Sequence, residues 1–287
     1  MKRLLIIPLL FIFAICESQT IINASPPLRV IAAEEGGYCD EYQAVYDAMT
    51  NKPTTYVENQ NTLVEELKTA GVWAKRDLIY VFAQQTNDDG EALLNWANPG
   101  TFTCTNVSAT LFTALEGFTG DGSADYLNTN WNVSSDKDNY ALDDATIAIY
   151  CRVSDINAEQ YAIGAVDGSN YVASIKPRYA GEFWIDVNGP GSSKAVDGSD
   201  GLFVGVRTNS TTHTYYRNGS SLGTTANNST GLPNTDLLIL KWTDGGYTTN
   251  QVSFVFVGGA LTDTEVADMF TAVEKYMDAM SKGVVTP

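Results

Sequence analysis

The sequence is poor in the groups that nucleic-acid binding and histidine-based catalysis require. Its 287 residues include one histidine and 17 lysine and arginine residues against 34 aspartate and glutamate residues, a formal net charge of −17. A nucleic-acid binder needs a basic face to neutralise phosphates, and so few cations along the whole chain cannot assemble one. The charge balance therefore predicts no nucleic-acid partner. It also disfavours acidic glycans as long-range electrostatic partners.

Long hydrophobic runs are missing as well, apart from one at the N-terminus. No later segment approaches the ~20 apolar residues of a membrane-spanning helix. Near the N-terminus, Lys2 and Arg3 precede an apolar run over residues 4–15, and Cys16-Glu17-Ser18 follows with a small residue at the expected cleavage position. This layout is typical of a secretory signal peptide. We therefore expect residues 1–18 to be a cleaved signal peptide and the mature protein to be secreted or surface-exposed.

Cysteines are few and show no metal-binding pattern. Cys16 lies within the expected signal peptide and leaves a lipoprotein as an alternative, although Ile15 stands where a bacterial lipobox has a small side chain. The other three, Cys39, Cys104 and Cys151, have neither CxxC spacing nor a histidine cluster, which disfavours a thiolate metal site. Export would allow one disulfide among these three, and the sequence does not choose the pair.

The first part of the mature chain reads as helical. Residues 19–37 read as an extended lead-in, and residues 38–101 as a helical preface with one strand integral to the following domain. Apolar residues recur at helical spacing between Tyr42 and Met49, and the capping-box pattern Thr62-Leu63-Val64-Glu65 predicts the start of a second helix that Gly71 ends. The apolar run over residues 77–83 predicts a buried strand.

From Phe102 onward the pattern is one of short strands separated by glycine, asparagine, aspartate and serine clusters. Asn218-Gly219 is the residue pair preferred in a type I′ hairpin turn, because both central positions need positive φ. A capping box at Thr262-Asp263-Thr264-Glu265 then opens an amphipathic helix. We expect residues 102–282 to form a β domain with a C-terminal helix, and residues 283–287 to be a tail. The predicted strands are 124–128, 145–153, 160–166, 171–176, 182–187, 202–207, 212–217, 237–241 and 252–257.

Several of these segments together resemble a known family. Tyr216-Arg217-Asn218-Gly219, Leu237-Leu238-Ile239, Phe254-Val255-Phe256-Val257-Gly258 and the capped helix from Leu261 look like concanavalin-A-like sandwiches of the laminin-G type. The resemblance implies a mainly β fold: a two-sheet antiparallel jelly-roll sandwich with N-terminal helices and one C-terminal amphipathic helix. Members of this class commonly hold glycans or host surface receptors, so the resemblance implies a glycan or surface-receptor partner.

Two earlier segments extend the resemblance to virion proteins. Asn95-Trp96-Ala97-Asn98-Pro99 and Gly117-Phe118-Thr119-Gly120-Asp121-Gly122 resemble what precedes this module in bacteriophage virion proteins and in related exported bacterial proteins. The expected signal peptide argues against a phage origin, because virion proteins normally assemble in the cytoplasm. A prophage-derived or host-encoded surface protein agrees better with both features.

Catalysis has little support in the sequence. A Ser-His-Asp arrangement would depend entirely on His213, which we expect to be a surface or cross-strand histidine. The carboxylates Glu182 and Asp186 share one face of a predicted strand. Their spacing of four residues puts their Cα atoms about 13 Å apart. Carboxyl pairs of glycosidases are roughly 5 to 9.5 Å apart. We therefore expect no enzyme, with a glycoside hydrolase as the least favoured alternative.

Calcium is the one cofactor that the resemblance suggests. Sandwiches of this type often hold Ca²⁺ near the rim, where aspartate and asparagine oxygens from adjacent loops supply hard ligands. The densest group is Asp136, Asp138, Asp143 and Asp144. The alternative is that these are solvated turn residues that only make the surface acidic.

Glycan binding needs flat aromatic faces for stacking and short polar side chains for hydroxyl groups. Trp242-Thr243-Asp244-Gly245-Gly246-Tyr247 places two aromatic residues and a carboxylate around a tight glycine turn. We therefore expect Trp242, Asp244 and Tyr247 to bind the ligand, with Trp131 and Asp136 as a second cluster. Further aromatic candidates in or beside loops are Trp184, Tyr215 and Tyr216.

Three functions follow from these observations. The favoured one is a non-catalytic extracellular glycan-binding or adhesion module of a virion or cell surface. The second is a structural subunit of a virion or surface appendage, with self-assembly or other surface proteins as partners. The third is the glycoside hydrolase.

Overall fold

The computed structural model describes residues 37–153 and 161–285. The helices are α1 (Asp40–Ala48), α2 (Val57–Thr69) and α3 (Asp263–Ala279), with 3₁₀ turns at Trp73–Lys75 and Glu91–Leu93. The strands are β1 (Arg76–Val81), β2 (Thr105–Val107), β3 (Leu111–Thr113), β4 (Gly117–Thr119), β5 (Tyr126–Asn132), β6 (Ala145–Cys151), β7 (Ile163–Val166), β8 (Val172–Tyr179), β9 (Glu182–Val187), β10 (Ser192–Ala195), β11 (Gly201–Arg207), β12 (Thr212–Arg217), β13 (Ser220–Ala226), β14 (Asp236–Ile239) and β15 (Gln251–Gly258).

The strands form two antiparallel sheets, as expected for a sandwich. In the eight-stranded sheet the order is β13-β12-β11-β6-β15-β4-β3, with β1 paired to β15. In the seven-stranded sheet the order is β10-β9-β8-β7-β14-β5-β2. The expectation of a mainly β, two-sheet antiparallel fold with N-terminal helices and one C-terminal helix is therefore confirmed. The jelly-roll and laminin-G assignments stay predictions.

The central strands of the eight-stranded sheet are buried on both faces. Along β1, Leu78 and Tyr80 belong to the core between the two sheets, whereas Ile79 and Val81 belong to a second core formed with the helices. This explains why the β1 region reads as one continuous apolar run: a strand covered on both faces has no polar side. The helix layer lies on the outer face of this sheet, because Val266 and Met269 of α3 are part of the second core.

The seven-stranded sheet has a different pattern, with apolar and more exposed residues alternating along β9. Phe183, Ile185 and Val187 are fully buried in the core between the sheets. Glu182, Trp184 and Asp186 are half-buried. Because successive side chains of a strand point to opposite faces, these last three lie on the outer face of the sheet.

Two local signals agree with the structure. Asn218 and Gly219 both have positive φ, 50° and 74°, between the paired strands β12 and β13. At the start of α3, the Thr262 side chain accepts from the Glu265 backbone N–H, and the Glu265 side chain accepts from the Thr262 backbone N–H. Both the hairpin turn and the C-terminal capping box are therefore confirmed.

The start of the second helix was predicted wrongly. Helix α2 begins at Val57, so Thr62 lies inside it and caps nothing. The periodicity missed the start of this helix because two of its first five residues are polar and buried. The Gln60 side chain accepts a hydrogen bond from the Tyr42 hydroxyl at 2.5 Å, and the Asn61 side chain accepts from the Cys39 backbone N–H at 2.9 Å.

The three described cysteines are all unpaired. Cys104 and Cys151 are buried, and Cys39 is half-buried. Of the predicted segments, the signal peptide (1–18), the lead-in except Gly37, and the last two residues of the tail lie outside the described residues. Within the described ranges, no helix has the length and apolar character needed to span a membrane.

Candidate functional site

The outer face of the seven-stranded sheet carries a line of aromatic rings. The Trp242 indole stacks on the Tyr161 ring, with centroids 4.2 Å apart and planes within 9°. The Lys176 ammonium lies over three rings, at 4.2 Å from the Tyr161 centroid, 5.0 Å from Tyr179 and 5.8 Å from Trp184. We call Trp242, Tyr161, Lys176, Tyr179 and Trp184 the aromatic row.

Strand pairing brings part of the aromatic row together. Lys176 of β8 is the direct cross-strand partner of Trp184 of β9. Tyr179 ends β8, and its ring meets the Trp184 ring in an edge contact at 6.4 Å. Tyr161 stands two residues before β7, the other neighbour of β8. The row therefore crosses three adjacent strands.

Trp242 reaches the row from a tight turn. Its backbone exchanges two hydrogen bonds with Gly245, each 3.2 Å long, and the Thr243 hydroxyl accepts from the Val166 backbone N–H at 3.1 Å. These bonds hold the turn against β7. Gly164 of β7 lies beneath it, because a Cβ at this position would be only 2.8 Å from the Trp242 Cβ.

The two faces of the Tyr161 ring are both covered. The Trp242 indole and the Lys176 ammonium each lie 4.2 Å from the same ring centroid. Two groups at that distance over one ring would overlap if they shared a face, so they lie on opposite faces. Tyr161 is therefore a spacer between Trp242 and Lys176 and offers neither face to a ligand.

Polar groups lie beside the row on the same sheet face. Asp186 accepts a hydrogen bond from the Ser174 hydroxyl at 2.5 Å, and Glu182 accepts one from the Ser193 hydroxyl at 2.8 Å. Burial raises the pKa of Asp186, whereas its hydrogen bond from Ser174 and the charge of Lys176 act in the opposite direction. A carboxylate of this kind can accept hydrogen bonds from the hydroxyl groups of a sugar, and a serine hydroxyl can both donate to them and accept from them.

The predicted ligand residues of the Trp242 turn separate into two groups. Tyr247 packs beside Tyr126, with ring centroids 6.2 Å apart, and the Lys241 ammonium lies 4.5 Å from the Tyr126 centroid and 4.8 Å from the Tyr247 centroid. Tyr247 is thus held by partners other than those of Trp242. Asp244 is exposed at the tip of the turn.

Trp131, the second predicted aromatic ligand, is a core residue. Its side chain is 1% exposed and meets Tyr140 edge to face at 5.9 Å. Its indole N–H donates to the Asp136 carbonyl oxygen at 3.1 Å. A ring packed in this way has no face for a sugar, because side chains of strand β5 alternate and Trp131 shares the inward side with Leu127.

Trp131 borders a polar cleft of about 400 Å³ at one end of the sheets. Asp77 is held at its wall by backbone N–H donors from Asn139 at 2.8 Å and Tyr140 at 2.6 Å. Arg76 also lines the cleft, and burial lowers the pKa of its guanidinium. The remaining lining residues are Ala97, Asn98, Phe102, Asp136 and Asp138.

The four aspartates proposed for calcium do not form a set of ligands. Asp136 and Asp138 line the polar cleft. Asp143 instead accepts from the Ser229 hydroxyl at 2.5 Å, and Asp144 accepts from the Ala260 backbone N–H at 2.5 Å. Among the described residues, no three histidine, cysteine, aspartate or glutamate side chains come together as a metal site. We therefore derive no role for Ca²⁺ from these positions, and the calcium expectation stays a prediction.

The sole histidine is buried in the sandwich and is not a surface residue. His213 is 1% exposed, and its Nε2 atom lies 3.1 Å from the Tyr215 hydroxyl and 3.4 Å from the Ser192 hydroxyl. Its Nδ1 atom has no hydrogen-bond partner, so no carboxylate orients the ring as in a catalytic triad. Burial lowers the pKa of His213 to about 4, with Arg207 and Lys194 acting in the same direction.

Sequence reasoning missed the middle of the aromatic row. Trp242 and Trp184 were both among the aromatic candidates, but Tyr161, Lys176 and Tyr179 were not. The usable signal was the alternation along the predicted strand 182–187. That alternation places Trp184 on the outer face. It does not show which neighbouring strands supply the residues that pack against Trp184.

No known family model matches this sequence, and no curated protein sequence is significantly similar to it. The chain is similar in structure to a mutant of HCR/D, with a TM-score of 0.51 and 13% identity over 70% of this chain and 53% of that chain. This chain therefore spans about half of that structure.

Two further similar structures have lower scores. The binding domain of botulinum neurotoxin serotype D has a TM-score of 0.48 and 13% identity over 69% of this chain and 52% of that one. Domain 4 of AbnA, a GH43 extracellular arabinanase from Geobacillus stearothermophilus in complex with arabinotriose, has a TM-score of 0.43 and 14% identity over 68% and 98%. At these identities the likeness extends to the fold alone.

Proposed function

We propose that this protein is a non-catalytic glycan-binding module that holds its ligand on the outer face of the seven-stranded sheet, at the aromatic row. The observation that carries the proposal is the arrangement of that row. Half-buried tryptophans, Trp242 and Trp184, stand on a sheet face that no helix covers within the described residues. The proposal rests on these side chains and not on the ligands of similar folds.

The residues around the row suit a sugar for two physical reasons. Aromatic rings provide flat apolar surfaces against which the C–H groups of a pyranose can pack. Beside them, Glu182 and Ser193 provide an acceptor and a hydroxyl group on the same face. A sugar needs both kinds of contact, because each ring has an apolar face and a rim of hydroxyl groups.

The charge of the protein favours a neutral ligand. The formal net charge of −17 repels anionic chains at long range. The lysine at the row, Lys176, is 8% exposed and already lies among three rings. We therefore expect a neutral glycan, met outside the cell if the predicted signal peptide directs export.

The test is a screen of the purified protein on a glycan array, followed by titration calorimetry of each hit with variants. Trp242→Ala removes the stacked indole and should strongly weaken binding. Its cost to the free energy of unfolding should be about 1–2 kcal/mol, because the ring is only half-buried and loses one stacked pair. A core tryptophan costs roughly 3–5 kcal/mol on truncation.

Two controls separate loss of the site from loss of the fold. Tyr46→Ala removes a half-buried aromatic ring from α1, in the helix layer, and should leave binding unchanged. Trp131→Phe keeps a ring in the core and should also bind. Unchanged affinity of Trp242→Ala would refute the assignment of the site. A folded protein that binds no glycan would refute the proposed function and leave the structural subunit as the remaining hypothesis.

A further inference from the structure

The aromatic row has two ends at which a ring can receive a sugar and a middle that cannot. We infer that the ligand is a linear glycan chain that spans both ends, one sugar stacking on Trp242 and another on Trp184, and not a single terminal sugar. The inference rests on the proposed function and specifies the class of glycan that the same site would take.

The middle of the row is closed by the protein itself. Tyr161 has the Trp242 indole on one face and the Lys176 ammonium on the other, each 4.2 Å from its centroid. Lys176 is 8% exposed, so its stem and ammonium fill the space between Tyr161 and Trp184. No stacking surface is left between the two tryptophans.

Each tryptophan has one ring face that no other member of the aromatic row contacts. Tyr161 covers one face of the Trp242 indole in a parallel stack, which leaves the opposite face. Trp184 meets Tyr179 in an edge contact at 62°, not in a stack.

The separation of the two ends exceeds the reach of one sugar ring. The Trp242 Cβ stands over Gly164 of β7, and Trp184 belongs to β9, with β8 between these strands. Neighbouring strands lie about 4.8 Å apart, so two steps separate the platforms by roughly 10 Å. A ligand that touches both must therefore contain several linked sugar units.

Two platforms joined by one ligand make affinity depend on chain length. Once one sugar of the chain is bound at Trp242, the next contact at Trp184 is intramolecular and has a high effective concentration. Affinity should rise at least about tenfold from the monosaccharide to the shortest chain that reaches both tryptophans, and should then level off.

The experiment titrates the sugar identified on the array as a series of increasing length, with the wild-type protein and the variants Trp184→Ala, Trp242→Ala and Tyr46→Ala. The wild type and Tyr46→Ala should show the rise and the plateau. Trp184→Ala should keep its affinity for short sugars at Trp242 but lose the rise with length. Trp184→Phe keeps a ring at this position and should restore part of the rise.

A second measurement does not depend on how well the variants fold. In ¹⁵N-labelled wild-type protein, the indole N–H signals of Trp184 and Trp242 should both shift on addition of a long chain. A monosaccharide should shift the two signals only at much higher concentration, because it binds each tryptophan separately.

The possible failures are distinct. Equal affinity of the wild type for the monosaccharide and the long chain, or a full rise in Trp184→Ala, would overturn the two-platform inference and leave glycan binding in place. Absence of binding to every chain length by folded wild-type protein would overturn both.

Discussion

Trp242 packs directly over Gly164 on the outer face of the seven-stranded sheet. A Cβ on Gly164 would stand 2.8 Å from the Trp242 Cβ and 3.2 Å from that of Ser174. Real Cβ atoms essentially never come within 2.8 Å of each other, so the turn that carries Trp242 can lie on β7 only because residue 164 has no side chain.

Gly164→Ala should therefore displace the Trp242 turn. We expect glycan affinity to fall by at least about tenfold, with a loss of roughly 1–3 kcal/mol in the free energy of unfolding from overpacking. Calorimetric titration and urea unfolding would measure the two effects. Gly168→Ala is the matched control, because a Cβ there would meet nothing within 4 Å, and it should change neither. If Gly164→Ala bound the glycan as tightly as the wild type does, the described packing of Trp242 over Gly164 would be contradicted.

Two hairpin turns provide a matched pair for the contact with α3. Gly219 and Gly181 both have positive φ, 74° and 85°. A Cβ on Gly219 would stand 3.2 Å from Ala267 and Phe270 of α3, whereas a Cβ on Gly181 would meet nothing within 4 Å.

Gly181→Ala should cost about 1–2 kcal/mol from the left-handed backbone alone. Gly219→Ala should cost more, by up to about 3 kcal/mol, because it also pushes against the helix. Urea unfolding of both variants gives the difference. Equal losses would mean that α3 does not pack against this turn.

His213 should make the protein sensitive to acid. Its pKa of about 4 lies below the ordinary value of about 6.5, so the unfolded chain binds this proton more readily than the native protein does. The contribution of His213 to the free energy of unfolding is fully present above about pH 6.5 and decreases as the pH falls towards 4. The slope contributed by one proton is at most about 1.4 kcal/mol per pH unit.

The measurement is the free energy of unfolding of wild type and His213→Gln between pH 7 and pH 4. Asp186 and Glu274, whose pKa values burial raises, act in the opposite direction but are common to both proteins. The difference between the two curves therefore reports His213. Parallel curves would show that the ring is not held neutral by its surroundings.

The described cysteines should differ sharply in reactivity. Burial raises the pKa of the Cys104 and Cys151 thiols, which keeps both protonated at neutral pH. Cys39 is half-buried. A thiol reagent such as DTNB should label Cys39 in the folded protein and reach the other two only in denaturant. In protein that lacks residues 1–18 and therefore Cys16, a Cys39→Ser variant should give no fast phase, and rapid labelling that persists in it would contradict the described burial.

Local signals predicted much of the fold. The strand 182–187 and the strand 212–217 were predicted with the bounds of β9 and β12. The turn at Asn218-Gly219 and the cap at Thr262 were also found, because each depends on residues that are neighbours in sequence. The three-residue strands β2, β3 and β4 were not, since a strand of that length carries no visible alternation.

The sequence by itself determined the chemistry of the chain: the net negative charge, the single histidine, the strand and turn pattern, and the aromatic residues around the Trp242 turn. The tertiary structure alone decided which aromatics work together. Trp131 and Trp242 look alike in sequence, yet the alternation and pairing of β5 put Trp131 in the core, whereas the Trp242 turn folds back over Gly164. Strand register pairs Lys176 with Trp184, and register depends on long-range burial that adjacent residues do not encode.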